Sequence, residues 1–144
     1  MKILVINGPN LNMLGIREPN LYGAQTYAQL VAYVQAVGQR EQVEVECLQS
    51  NHEGAIVEMI QGAYGTADGI VINPAAYTHT SVAILDALKA VALPTVEVHL
   101  SDVSRREDFR QVSYAGMACE QKFVGMGFRG YEEAIRWLKA RLSK

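Results

Sequence analysis

The stretch "KILVINGPNLNMLGIREPNLYG", Lys2 to Gly23, decides how the rest of the chain is read. Residues 2–6 are an apolar run of strand length without alternation, as expected of a parallel strand buried on both faces. In an open α/β sheet such a strand opens onto a ligand site at its carboxyl end. A nucleotide binder would carry a glycine-rich phosphate cradle there. This chain instead carries Asn7, Asn10 and Asn12, then Arg17 and Tyr22 between turn residues. Gly15 and Gly23 flank the Arg17/Tyr22 segment, either as hinges of a lid or as glycines of a plain turn.

Working outward, apolar runs alternate with amphipathic stretches to the end of the chain. Strands are expected at 2–6, 43–49, 69–73, 95–99 and 122–125, and helices near 26–37, 54–63, 80–91 and 131–142. In the first helix Tyr27, Leu30, Val31, Val34 and Val37 recur at helical spacing and form its core face. Ile135, Leu138 and Leu142 do the same in the last. Five βα units with short right-handed crossovers imply an α/β fold, a five-stranded parallel sheet with helices on both faces. The expectation is one flavodoxin-like three-layer sandwich spanning 1–144 as a single catalytic domain. "GMGFRG", residues 125–130, matches a dinucleotide-binding pattern, but no second strand and no ribose-binding acid follow it. Its glycines shape the last strand-to-helix turn.

The bulk numbers exclude several classes. A chain of 144 residues buries roughly 70% of its unfolded surface without metal or disulfide staples. At 49% apolar and 19% charged it is not disordered, and 13 basic against 15 acidic residues leave no basic stripe for nucleic acid. The chain enters its first strand with no charged-then-apolar leader, and no apolar run approaches the roughly 18 residues of a membrane helix. Cys47 and Cys119 are isolated thiols without metal-ligand spacing. The expectation is a cytoplasmic protein with reduced cysteines and no membrane partner.

The strand ends collect the polar residues: Asn7, Asn10, Arg17 and Tyr22 after the first, "QSNHEG" after the second, "NPAAYTHTS" after the third, and "EVHLSD" with "RREDFR" at and after the fourth. Singly, each has a plain structural explanation. Asn73 before Pro74 satisfies a turn, Thr78 or Thr80 caps the next helix, Asn51 with Glu53 starts a helix, and His52 is structural. Glu97 and His99 alternate with Val96 and Val98, so they share one face, and a buried carboxylate beside an imidazole holds it. Together these residues converge on one rim. Catalytic elbows, phosphate loops and metal clusters are absent from the sequence, and the lysines (Lys2, Lys89, Lys122, Lys139 and Lys144) avoid the strand-end loops, against Schiff-base chemistry. Tyrosine, arginine, histidine, amides and a carboxylate suit proton transfer on a small polar anion.

"INGPNLNMLGIREPNLYG", "QSNHEG", "INPAAYTHTS", "VEVHLSD", "RREDFR" and the Ser113–Tyr114 pair, through the final "GYEEAIRWL", resemble the type II 3-dehydroquinate dehydratases over essentially the whole chain. The resemblance implies anti elimination of water from 3-dehydroquinate to 3-dehydroshikimate through an enolate, in the shikimate pathway, with no metal or organic cofactor. It implies Tyr22 as the base and Arg17 as support for its phenolate. Asn10 would hold a water against the enolate oxygen. His99 would be the acid, oriented by Glu97. Asn73, His79 and Arg110 would grip substrate hydroxyls, and the N–H groups of Leu100 and Ser101 would receive the carboxylate. Asp86 would reach a neighbouring subunit's site in a homo-oligomer, a dodecamer built from trimers.

The physics of the base is sound. Ionising a tyrosine near neutrality requires roughly 4 kcal/mol, and a guanidinium at ~4 Å supplies on the order of 4 kcal/mol at an effective dielectric of 20. The departures are local. Asp102 stands where the family usually has Asn and should repel an anionic substrate unless Arg105 or Arg106 neutralises it. Ser104 replaces a frequent His, and "AGMACEQKFVGMGFRG" is a loose version of the family's glycine-rich stretch. Two other readings stand beside the dehydratase: an inactive flavodoxin-like binding module and a related small-acid lyase.

Overall fold

The structure, a computed structural model, describes residues 1–16, 18, 20 and 24–144. Strands β1 (Lys2–Asn7), β2 (Glu44–Gln49), β3 (Gly69–Asn73), β4 (Thr95–His99) and β5 (Gln121–Val124) form one five-stranded sheet in the order β2-β1-β3-β4-β5. Every pairing is parallel. Among the described residues the α-helices are α1 (Tyr27–Glu41), α2 (Glu53–Ala63), α3 (Val82–Val91) and α4 (Arg129–Leu142).

Strand β1 is apolar from Ile3 to Ile6 because both of its faces are covered there. Ile3 and Val5 pack with Leu30, Val34 and Val37 of α1 and Ile135 and Leu138 of α4. Leu4 and Ile6 pack with Ile56 and Ile60 of α2 and Ile84 and Leu88 of α3. Each fully buried Leu, Ile or Val contributes about 1.5–3 kcal/mol, and two such layers make the expected three-layer α/β sandwich.

Helix α1 opens on a capping box. The Gln29 backbone N–H donates to Thr26 Oγ1 at 3.2 Å, and the Thr26 N–H donates to Gln29 Oε1 at 2.8 Å. It runs past the expected end at 37 to Glu41. Gly38, at that boundary, is a packing residue: a Cβ there would stand 2.7 Å from Val45 Cγ2 of β2. Helix α3 begins later than expected, at Val82, and its cap is Ser81, which accepts the Ile84 N–H at 2.9 Å. Neither Thr78 nor Thr80 caps it.

The β4–β5 crossover departs from the expected βα pattern. Three 3-10 turns, Val103–Arg105, Asp108–Arg110 and Ala115–Ala118, replace a helix. In the "GMGFRG" turn Gly125 and Gly127 have φ of 75° and 59°, which a side chain rarely adopts. Gly130 lies in α4 against Val98, so these glycines do shape the strand-to-helix turn.

Candidate active site

The connection after β1 leads outward to β2 and the one after β2 crosses back to β3, so the sheet order reverses at β1/β3. A ligand crevice is expected outside the carboxyl ends of these strands. A cleft lies there, lined by Asn10, Leu11 and Leu14 after β1, Asn73, Ala75 and His79 around the end of β3, and His99, Leu100 and Ser101 at the end of β4, with Arg106 and Arg110 closing one side.

The loops after β1 and β3 are locked together. The Gly8 N–H donates to the Asn73 carbonyl at 2.8 Å, and a Cβ at Gly8 would meet the Pro74 carbonyl oxygen at 2.5 Å. Asn10 and Ala75 both hold left-handed backbone, with φ of 70° and 53°, conformations usually retained where surrounding contacts impose them. For Asn10 the contact is Asn51, whose Oδ1 accepts the Asn10 N–H at 3.0 Å and the Gln49 amide at 3.1 Å. Asn51 therefore steadies the first loop. The residue capping α2 is His52, whose side chain makes no capping bond and is exposed.

Asn73 is almost fully buried, and its amide is oriented from both sides. Its Oδ1 accepts the Ala75 N–H at 3.1 Å, and its Nδ2 donates to the Tyr131 hydroxyl at 2.9 Å. Tyr131, wholly buried at the start of α4, donates in turn to Asn7 Oδ1 at 2.6 Å. One Asn73 N–H remains to face the cleft. Asn7, a strand-end residue by sequence, thus belongs to the floor beneath the site.

His79 Nδ1 lies 2.7 Å from the Val112 carbonyl, so this nitrogen carries the proton and Nε2 is the acceptor. Burial lowers the proton affinity of the ring, and His99 and Arg110 nearby act in the same direction. The Arg110 Nε donates to Glu107 at 2.6 Å, and its guanidinium lies 5.1 Å from the Phe109 ring centroid.

The centre of the site is a buried carboxylate–imidazole contact. Glu97, fully buried, and His99, 6% exposed, meet with His99 Nε2 2.5 Å from Glu97 Oε2. Thr78 and Ser113 hydroxyls reach the same carboxylate oxygen at 2.9 and 2.6 Å. Burial pushes the Glu97 carboxyl up, but the His99 interaction and the Ser113 and Thr78 hydrogen bonds outweigh it and hold it below the usual range. The pair works as an imidazole with Nε2 engaged and Nδ1 left for the cleft.

Asp102 does not line the cleft. Its Oδ1 accepts the Ser104 N–H at 3.1 Å and the Ser104 hydroxyl at 2.5 Å, and Arg105 lies 3.5 Å from Oδ2. The expected repulsion is thus relieved by a local cap that Ser104 completes. Asp86 is exposed on α3 and lies outside this chain's own cleft. Tyr22 and Arg17, the expected base and its cation, lie outside the described residues. No lysine lines the cleft, and no His/Cys/Asp/Glu cluster among the described residues could hold a metal ion.

The family profile described as dehydroquinase class II matches residues 1–139. The chain belongs to the class II dehydroquinases. It is 52% identical over 144 residues to the 3-dehydroquinate dehydratase of Clostridium acetobutylicum, covering 100% of both chains. The crystal structure of type II dehydroquinase from Butyrivibrio crossotus superposes with a TM-score of 0.95 at 54% identity, covering 96% of this chain and 97% of that one. That from Propionibacterium acnes gives 0.93 at 40% identity, covering 96% of each. Thr78, Ser113, Asn51 and Tyr131 are residues of this dehydroquinase site that sequence reading gave no site role, and Arg106, expected only as a counter-charge to Asp102, lines the cleft. Ser113 stood in a quoted motif, but only the tertiary contact with Glu97 gives its hydroxyl a purpose.

Proposed function

We propose that the protein is a 3-dehydroquinate dehydratase of the shikimate pathway, a hydro-lyase that removes water from 3-dehydroquinate by anti elimination through an enolate. Membership of the family carries the activity. The observation that carries the mechanism is the buried Glu97–His99 pair opening on a cleft lined by Asn73, His79, Ser101 and Arg110.

Tyr22 removes the proton beside the ketone, with Arg17 supporting its phenolate. Asn10, pinned through its backbone by Asn51, holds a water against the enolate oxygen. The hydroxyl departs as water with a proton from His99. Because the Nε2–H stays on the ring and points at Glu97, the transferred proton leaves Nδ1 of an imidazolium whose charge the carboxylate balances. His79 accepts a substrate hydroxyl proton at Nε2, Asn73 donates its free N–H, and Arg110 completes the grip. The backbone N–H groups of Leu100 and Ser101 receive the carboxylate. The whole chain acts as a single catalytic domain in the cytoplasm. No helix among the described residues is long and apolar enough to cross a membrane.

Product formation creates a conjugated enoic acid, so the test is ultraviolet absorbance during incubation with 3-dehydroquinate, before and after borohydride treatment of the enzyme. A rise that survives borohydride is expected, since no lysine lines the cleft. Tyr22→Phe should keep substrate binding and lose turnover by about 10²–10⁴-fold. No rise from a folded, substrate-binding protein would refute the activity.

A further inference from the structure

The two oxygens of Glu97 are used very unequally. Oε2 has His99 Nε2 at 2.5 Å, Ser113 Oγ at 2.6 Å and Thr78 Oγ1 at 2.9 Å. Oε1 is buried with no hydrogen-bond partner among the described residues. Gly116 closes over it, so near that a Cβ there would stand 2.7 Å away. The two hydroxyls also touch each other, at 2.7 Å.

Counting protons shows what this arrangement does. Each hydroxyl carries one proton. The Thr78–Ser113 contact uses one of the two, leaving one for Glu97. The three oxygens thus form a triangle with one edge bare while Glu97 is ionised. Ser113 Oγ also accepts the Gly116 N–H at 3.0 Å and lies nearer to Glu97 than Thr78 does. The assignment that follows is a relay in which Thr78 donates to Ser113 and Ser113 donates to Glu97. The longest edge, Thr78 to Glu97, is then the bare one.

We propose that Thr78 and Ser113 are positioning residues for His99 that act through Glu97 as a redundant pair, delivering one hydroxyl proton between them to the oxygen facing the imidazole. This deepens the reading of His99 as the acid and rests on it. The donor holds the carboxylate in place and spreads its charge, so that Glu97 balances the imidazolium without taking its proton. The remaining groups around the pair do not substitute for the relay. His79 is turned to the Val112 carbonyl, and Arg110 is bonded to Glu107. The Cys119 thiol, pushed up to about 12 by burial and by Glu97, is uncharged and bonded to Ala115. Lys122, in register with Glu97 on β5, is exposed.

The relay predicts strong non-additivity. In Thr78→Val or in Ser113→Ala alone, the surviving hydroxyl turns its proton onto Glu97, and the donor count is unchanged. In the double variant it falls to zero, and a carboxylate with fewer donors binds the shared proton more tightly. The measurement is an NMR titration of ring-labelled histidines in the substrate-free protein, with exposed His52 as internal reference, alongside kcat and KM. Each single variant should keep the His99 curve within a few tenths of a pH unit and lower kcat no more than about threefold. The double variant should move the curve upward by about one pH unit and lower kcat about tenfold, with KM little changed. Thr78→Ser combined with Ser113→Ala restores one hydroxyl and should restore the parent curve.

A single variant displacing the curve as far as the double, or a double variant that leaves it in place, overturns the proposal. If the double variant does not fold, the singles decide it: redundancy requires both near the parent, and a full displacement by either refutes it. The titration is read without substrate, so a parent protein without dehydratase activity would remove the catalytic reading while the relay was still being tested.

Discussion

Glu97 is a carboxylate on a strand whose neighbouring positions are core, and its ionised state depends on donors brought from elsewhere in the chain. Its carboxyl is held below the usual carboxylate range: burial opposes ionisation, and the His99, Ser113 and Thr78 contacts prevail. A depressed carboxyl stabilises the fold above the pH range where the unfolded carboxyl titrates, and that contribution is lost as pH falls through the folded value. The parent protein should therefore lose stability as pH drops below about 4.5, and Glu97→Gln should show a shallower loss over the same window. Urea denaturation at a series of acid pH values measures the difference, and parallel curves would refute the assignment. Alternation with Val96 and Val98 made the Glu97–His99 face legible in the sequence. The donors were not legible, because Thr78 and Ser113 lie 19 and 16 residues from Glu97 and meet it only through the fold.

The elements divide by what stabilises them. Helix α1 has a local signal, and its reciprocal Thr26–Gln29 box follows directly from residue spacing. Thr26→Ala should cost about 1 kcal/mol and lower Tm by about 2–8 °C, measured by calorimetry; an unchanged Tm would mean that the box contributes nothing net. The helix expected near 26–37 runs on to Glu41, and Gly38 within it allows the close approach to Val45 of β2. The 3-10 turns between β4 and β5 have no apolar period to reveal them. They depend on long-range contacts such as the Tyr114 N–H donating to the Thr78 carbonyl at 2.7 Å. With no helix in this crossover, Gly116 can lie directly against the Glu97 carboxylate.

At the scale of the molecule, the cleft exists because three strand ends share one edge, and one proposed substrate contact remains outside it. Asp86 is exposed on α3, near the exposed apolar side chain of Val82. We propose that this face joins copies of the chain and delivers Asp86 to a neighbour's site. Light scattering should then find an assembly far heavier than the 15.8 kDa monomer. Asp86→Ala should lower kcat/KM by about tenfold, the cost of one charged hydrogen bond. A fully active monomer would refute this arrangement.

The alternation of buried runs and amphipathic helices was enough to specify the sheet and its layers, because burial on both faces constrains β1 after Lys2 and all of β3. The strand-end motifs were enough to place Asn10, Asn73, His79, His99 and Arg110 around one cleft and to identify the family. Only the folded chain determined that Asn51 steadies Asn10, that Tyr131 orients Asn73, that Asp102 is turned into a cap, and that two hydroxyls converge on one oxygen of Glu97. Apart from the local Asp102 cap, these are contacts between residues far apart in sequence. Their partners carry no periodic pattern, so only close packing brings them within hydrogen-bond distance.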